Sequence, residues 1–168
     1  LMLPLSAKNG AVTNFFDALF TATSATCVTG LIVVDTYTHW TFFGQGVILS
    51  LIQIGGLGLV TLTLFFNLLI RRKLGLRTLQ LAQESTSASN FEDTPRLLRG
   101  IVGISLTVEA IGAVLLLPAF VPKYGMEGIF ISVFTSVSAF CNAGFDLLGR
   151  EGPYSSLIHY NGSYVLLV

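Results

Sequence analysis

The sequence predicts an all-α polytopic membrane protein built from repeated helix–re-entrant loop–helix units, and three observations predict it. Of 168 residues, 52% are hydrophobic and only 11% charged, against roughly 25% charged in soluble domains. The charges cluster between two long apolar stretches. A pattern of small residues around Ser24 returns 114 positions later. The mean hydropathy of +0.75 agrees with the first observation. Zero formal net charge is itself silent about partners, and no nucleic-acid partner is expected; Cys27 and Cys141 alone build neither a disulfide framework nor a four-ligand zinc site.

The chain opens on LMLP, residues 1–4, the end of an outer helix. Residues 12–35 are expected to form a re-entrant loop. Asn14, with Asp17 three places on, reads as a helix N-cap with an acidic first turn. A helix from there to about Thr23 spans only about 15 Å, half a bilayer. The uncharged TATSATCVTGL (21–31) follows, and irregular backbone at membrane depth is tolerated only where it is buried or lines a wet cavity. Residues 41–70 contain no Asp, Glu, Lys or Arg and are long enough for a returning, membrane-crossing helix.

Residues 71–99 carry six of the nine basic residues, among them Arg71, Arg72 and Lys73. Basic residues beside span ends mark the cytoplasmic side, so this loop is expected inside the cell and both small-residue loops outside. A second span covers 100–121, ending at Pro118 and Pro122, which helices rarely continue through. Residues 126–149 form a second re-entrant loop, and 163–168 begin another returning helix. The units are thus 1–70 and 100–168, each incomplete, and the sequence reads as a piece of a longer chain.

The internal repeat rests on residues 20–31 set against 134–145, where Phe20, Thr21, Ser24, Ala25, Cys27 and Gly30 meet identical residues. LMLP (1–4) and LLLP (115–118) share the same offset. A short helix entering from outside aims the negative end of its dipole at the bilayer centre, which favours a cation there. Small residues and a glycine then suit a backbone whose free carbonyls replace a hydration shell. Close helix packing by small residues explains the same composition, and spacing alone leaves both readings open.

Glu109 is the one carboxylate inside a span. It is either an ion-path or proton-relay residue or, as favoured here, a hydrogen-bond acceptor supporting a loop from behind. QIGGLG (53–58) lies inside a span with no strand before it, so it reads as a packing surface, not a nucleotide loop. Cys27 and Cys141 are expected as reduced thiols packed behind the loops, and His39 and His159 as plain external residues. No paired aspartates, Ser–His pair or zinc motif lies at membrane depth, so no enzyme is expected.

DALFTATSATCVTGLIVVDT (17–36), FGQGVILSLIQIGGLGLVT (43–61) and SAFCNAGFDLLG (138–149) closely resemble the membrane subunit of the Ktr-type potassium transporters, in the Trk/Ktr/HKT superfamily. The resemblance implies four such repeats around a central pore, two of them present here. It implies a selectivity filter of backbone from Cys27, Val28, Thr29 and Gly30, and from Cys141, Asn142, Ala143 and Gly144, with potassium at Gly30 and Gly144 and Glu109 in support. Potassium uptake across the cell membrane, stimulated by sodium, follows from the likeness, with no cofactor in this chain. Gly30 matches the potassium-selective pattern, since some plant members with serine there favour sodium. The family's membrane subunit forms a homodimer on a cytosolic nucleotide-binding ring, which places docking at or near Arg71, Arg72 and Lys73. A sodium or mixed alkali-cation transporter, or a membrane interaction module without transport, are the alternatives.

Overall fold

The computed structural model describes residues 1–58, 94–150 and 152. Among them run α1 (Phe15–Thr26), α2 (Thr36–His39), α3 (Phe42–Leu57), α4 (Thr94–Tyr124) and α5 (Glu127–Phe140), after a 3-10 turn at Pro4–Ser6. The described residues form no strand; an isolated bridge joins Ala7 to Trp40. The protein is therefore all-α, as expected. Two compact units divide it, one of Leu1–Gly56 with Glu109–Val168, the other of Leu57–Val108. The second is described at Leu57, Gly58 and the first part of α4, where Thr107 Oγ1 donates to the Gly103 carbonyl at 2.7 Å.

Asn14 starts α1 as expected, its side chain accepting from Phe16 N at 3.4 Å with Asp17 in the first turn. The helix then runs past Thr23 through all of TATSAT. Hydroxyls explain this extension. Thr21 Oγ1 and Thr26 Oγ1 donate to the carbonyls four residues back, Asp17 and Ala22, at 2.8 and 2.9 Å, so the polar groups are satisfied inside the helix. Ala18, Thr21, Ser24 and Ala25 form its buried face. The 12 residues span about 18 Å, still far short of a bilayer. α5 likewise runs through TSVSAF to Phe140, but there Ser136 and Ser138 direct their hydroxyls out of the helix, to Glu109 O and Phe145 O; Ser132 Oγ, upstream, donates to Gly128 O at 2.7 Å.

The chain turns back through α2, capped by Asp35, which accepts from Thr38 N at 2.7 Å. The N-terminal segment clasps this turn: Lys8 N donates to His39 O at 2.9 Å, Thr41 N to Ser6 O at 2.8 Å, and the Lys8 ammonium stands 3.9 Å above the Tyr37 ring. His39, expected as a plain surface residue, has its Nε2 3.1 Å from Thr13 Oγ1 and its ring edge-on to Trp40 at 4.7 Å.

α3 is described over Phe42–Leu57, and Gly58 follows in the left-handed region at φ 77°. α4 begins at Thr94 and continues through Pro118 and Pro122 to Tyr124. Both prolines are exposed, so their rings crowd no neighbouring helix, and the hydrogen bonds they remove lie near the helix end. Arg99–Tyr124, 26 residues with a mean hydropathy of 2.2, is long and apolar enough to cross a membrane. Residues 59–93, which hold the rest of the expected returning helix and Arg71, Arg72 and Lys73, lie outside the described residues. So do His159 and the helix start at 163–168.

In the first unit the polarity of the packing is inverted relative to a soluble protein. Phe16, Phe42 and Val114 are 73%, 69% and 63% exposed, while Thr21, Ser24, Gln45, Glu109, Ser136 and Ser138 are buried. Trp40, Ile48, Ile52, Phe120, Phe134, Leu147 and Leu148 form the apolar core. Where lipid is as apolar as leucine, apolar exposure costs little and close packing with hydrogen bonds holds helices together.

Candidate functional site

Each of the short helices α1 and α5 ends in a loop, and the two loops share one backbone geometry. Cys27 and Cys141 cap the helices with φ,ψ of −83°, −1° and −75°, −6°. Val28 and Asn142 then both take φ 56°, and Gly30 and Gly144 take 74° and 71°. The three backbone hydrogen bonds of each turn recur 114 residues on. Cys27 N and Cys141 N donate to Thr23 O and Val137 O at 2.8 and 2.9 Å. Val28 N and Asn142 N donate to Ala25 O and Ala139 O at 3.3 and 3.0 Å. Thr29 N and Ala143 N donate to Ser24 O and Ser138 O at 3.0 and 2.7 Å.

Those bonds fix where the carbonyls aim. In a planar trans peptide the C=O points opposite to the N–H of the same unit, and no peptide here is cis. The N–H groups of Val28 and Thr29 turn back onto α1, so the carbonyls of Cys27 and Val28 point away from it. By the same argument the carbonyls of Cys141 and Asn142 point away from α5. Among the described residues, no hydrogen bond is donated to the carbonyls of Val28, Thr29, Gly30, Asn142, Ala143 or Gly144.

The loops meet at their glycines. A Cβ built on Gly30 would lie 2.7 Å from Ala143 O and 3.2 Å from Gly144 Cα; one on Gly144 would lie 3.3 Å from Gly30 Cα. Behind them, α3 presents Gly55 and Gly56. A Cβ on Gly55 would strike the Thr26 carbonyl and stand 3.0 Å from Val28 Cγ2, and one on Gly56 would strike the Cys141 side chain. The QIGGLG stretch therefore touches both loop starts. Of the two free thiols, Cys141 is half-buried against Gly56, whereas Cys27 is exposed and does not pack behind its loop.

Glu109 is buried, and its carboxylate accepts from Gln53 Nε2 at 2.8 and 3.1 Å. Its partner is thus a side chain of α3 and not a loop donor. A hydroxyl reaches the backbone of the same residue: Ser136 Oγ of α5 donates to the Glu109 carbonyl at 2.7 Å. Gln53 escaped the sequence reading because nothing in spacing links residues 56 positions apart. Replacing Glu109 with alanine leaves the Gln53 amide without its acceptor, and a stability loss of about 1–3 kcal/mol is expected, read as earlier melting in detergent. Glu109→Gln keeps an acceptor and should melt near the parent. Equal melting of Glu109→Ala and parent would show that the pair contributes nothing.

Past the second glycine, Asp146 Oδ1 accepts from Leu148 N at 3.0 Å. Burial pushes its carboxyl above the usual carboxylate range; the Leu148 N–H opposes this and the Asp35 charge adds to it. A cavity of about 570 Å³ lies between the starts of α3 and α5, walled chiefly by Phe42, Met126, Ile129, Phe130 and Val133, and none of the loop residues 27–30 or 141–144 lines it.

The family described as TrkH, cation transport protein, matches residues 2–168. The chain is 41% identical over 169 residues to the potassium/sodium uptake protein NtpJ of Enterococcus hirae, covering 100% of this chain and 37% of that protein. It is 45% identical over 148 residues to the Ktr system potassium uptake protein B of Bacillus subtilis, covering 88% of this chain and 33% of the relative. The corresponding Vibrio alginolyticus protein is 44% identical over 148 residues, covering 88% and 32%. The chain thus spans about a third of the length of the curated relatives it matches. With a match that runs over nearly its whole length, the chain belongs to the TrkH cation transport family, as a sequence of the Trk/Ktr-type membrane subunit.

Proposed function

We propose that the loops at 27–30 and 141–144 are two adjacent walls of a potassium-selective filter in a membrane uptake protein. The observation that carries this reading is the pair of left-handed glycines in contact, flanked by carbonyls turned away from their helices and, among the described residues, accepting from no donor. Dehydrated alkali cations need such oxygens, held by backbone and without the full charge of a carboxylate. Potassium passes the loops as substrate, coordinated by carbonyls of Cys27, Val28, Thr29, Gly30 and their counterparts Cys141, Asn142, Ala143 and Gly144. Glu109 and Gln53 brace α3 and α5 behind them. Two further walls from the same complete chain close the ring, the filter loops face outward, and complete chains pair as a homodimer.

Uptake of rubidium and sodium by the complete protein, in cells lacking their own potassium uptake, tests the reading. The Enterococcus relative carries both ions in its name, so both are measured, together with any stimulation of rubidium uptake by sodium. Saturable uptake preferring rubidium is expected; absence of alkali-cation uptake at normal membrane abundance overturns it.

Residues 71–99 face the cytoplasm in this proposal, with Arg71, Arg72 and Lys73 meeting a cytosolic nucleotide-binding ring. Reversing these three charges is expected to weaken capture of the ring in detergent by about tenfold, a few partly exposed ion pairs' worth. Undiminished capture would leave membrane orientation as their role.

A further inference from the structure

Ser24 and Ser138 occupy the same place in the two copies, and each touches its loop twice. The carbonyl of each serine accepts from the N–H of the residue before the glycine, Thr29 or Ala143. The hydroxyl of each donates to the carbonyl of the residue after it, Leu31 at 2.7 Å and Phe145 at 2.6 Å. Both side chains are almost fully buried, 4% and 3% exposed, so water does not compete. One serine thereby holds the chain on both sides of a single glycine.

That glycine is where holding matters most. Lacking a Cβ, it reaches the left-handed region without strain and leaves it as readily. Its own torsions therefore supply little stiffness, and the neighbouring peptide units must be fixed from outside. The hydroxyl bond also turns the Leu31 and Phe145 carbonyls back toward the helices, which ends each row of free carbonyls at the glycine.

We propose that Ser24 and Ser138 are positioning residues that set the spacing of the loop carbonyls and so decide which ion the filter accepts, an inference that rests on the filter reading. The two copies differ in one respect. The single Ser24 proton goes to Leu31, so in the 2.9 Å contact between Ser24 Oγ and Thr29 Oγ1 the threonine is the donor. A chain of hydroxyls from Thr29 through Ser24 to Leu31 braces the first loop. The second has Ala143 in place of Thr29, and Ser138 alone supplies the hydroxyl. The second loop depends more on its serine.

The test measures rubidium and sodium uptake by the complete transporter, normalised to protein in the membrane, for Ser24→Ala, Ser138→Ala and the corresponding threonine variants. The rubidium-over-sodium ratio is expected to fall about fivefold in Ser138→Ala, the factor matching one ordinary hydrogen bond, and less in Ser24→Ala. Threonine, which retains the hydroxyl, should regain most of the ratio; a purely structural role would lower abundance and leave the ratio alone. Unchanged ratios in both alanine variants overturn the proposal, as does a threonine variant falling as far as alanine. If an alanine variant does not accumulate, cysteine of similar size and weak donor strength decides in its place: a parental ratio there overturns the proposal too. Gly30→Ser is run alongside. Should it also leave the ratio unchanged, the filter reading fails; should it alone shift the ratio, only the role of the serines fails.

Discussion

Gly30→Ser is expected to cut the rubidium-over-sodium uptake ratio by about tenfold or more, and to do so more severely than Gly144→Ser. Both glycines hold φ above 70°, where an L-residue costs roughly 1–2 kcal/mol. Surroundings separate them. A Cβ at position 30 lies 2.7 Å from the Ala143 carbonyl oxygen, a backbone atom that yields only if the second loop moves. At position 144 the nearest atom is 3.3 Å away, tight but within reach of a small adjustment. Serine at 30 therefore displaces both walls, whereas serine at 144 chiefly strains its own. Uptake ratios in potassium-uptake-deficient cells measure this. An unchanged ratio for Gly30→Ser removes that residue from the filter, and a larger effect at 144 contradicts the steric ordering.

The other large effect is expected at Gly55. Alanine there drives its methyl into the Thr26 carbonyl, whose carbon would stand 2.8 Å away. Overpacking of this kind costs about 1–3 kcal/mol, more where backbone must yield. Gly56→Ala meets the Cys141 side chain and should cost somewhat less, since the thiol sulfur can rotate away, although the Cys141 Cβ, 2.7 Å from the new methyl, must still shift. Gly46, on the same helix, has nothing within 4 Å of a built Cβ; alanine there should be neutral or gain up to about 1 kcal/mol of helix propensity. Melting of the purified complete protein ranks the three. If Gly46→Ala destabilises as much as Gly55→Ala, general helix perturbation and not the contact with Thr26 is responsible.

The matching backbone of the two loops, with its left-handed glycines at 30 and 144, was foreshadowed in residue order by a constant offset and by small residues among apolar ones. The helix ends were harder to read. Threonine and serine in TATSAT favour turns in water, but with the Thr21 and Thr26 hydroxyls bonded four residues back α1 continues to Thr26. Pro118 and Pro122 argued for an earlier stop to α4, yet their exposed rings meet no obstruction. The partner of Glu109 was invisible, because pairing across helices is set by rotation about their axes. Ser24 and Ser138 did leave a signal among the six identities; what each holds emerges only once the chain has doubled back seven residues later.

Gly30 and Gly144 touch, yet one polypeptide encodes them at separate positions. In a ring of identical subunits a single codon change alters every side at once, and the ion meets the change in full symmetry. Here a codon change alters one side. The other keeps its own residues, so in the proposed filter selection can retune the ring one side at a time, and departures from equivalence such as Thr29 opposite Ala143 can accumulate without dismantling the whole.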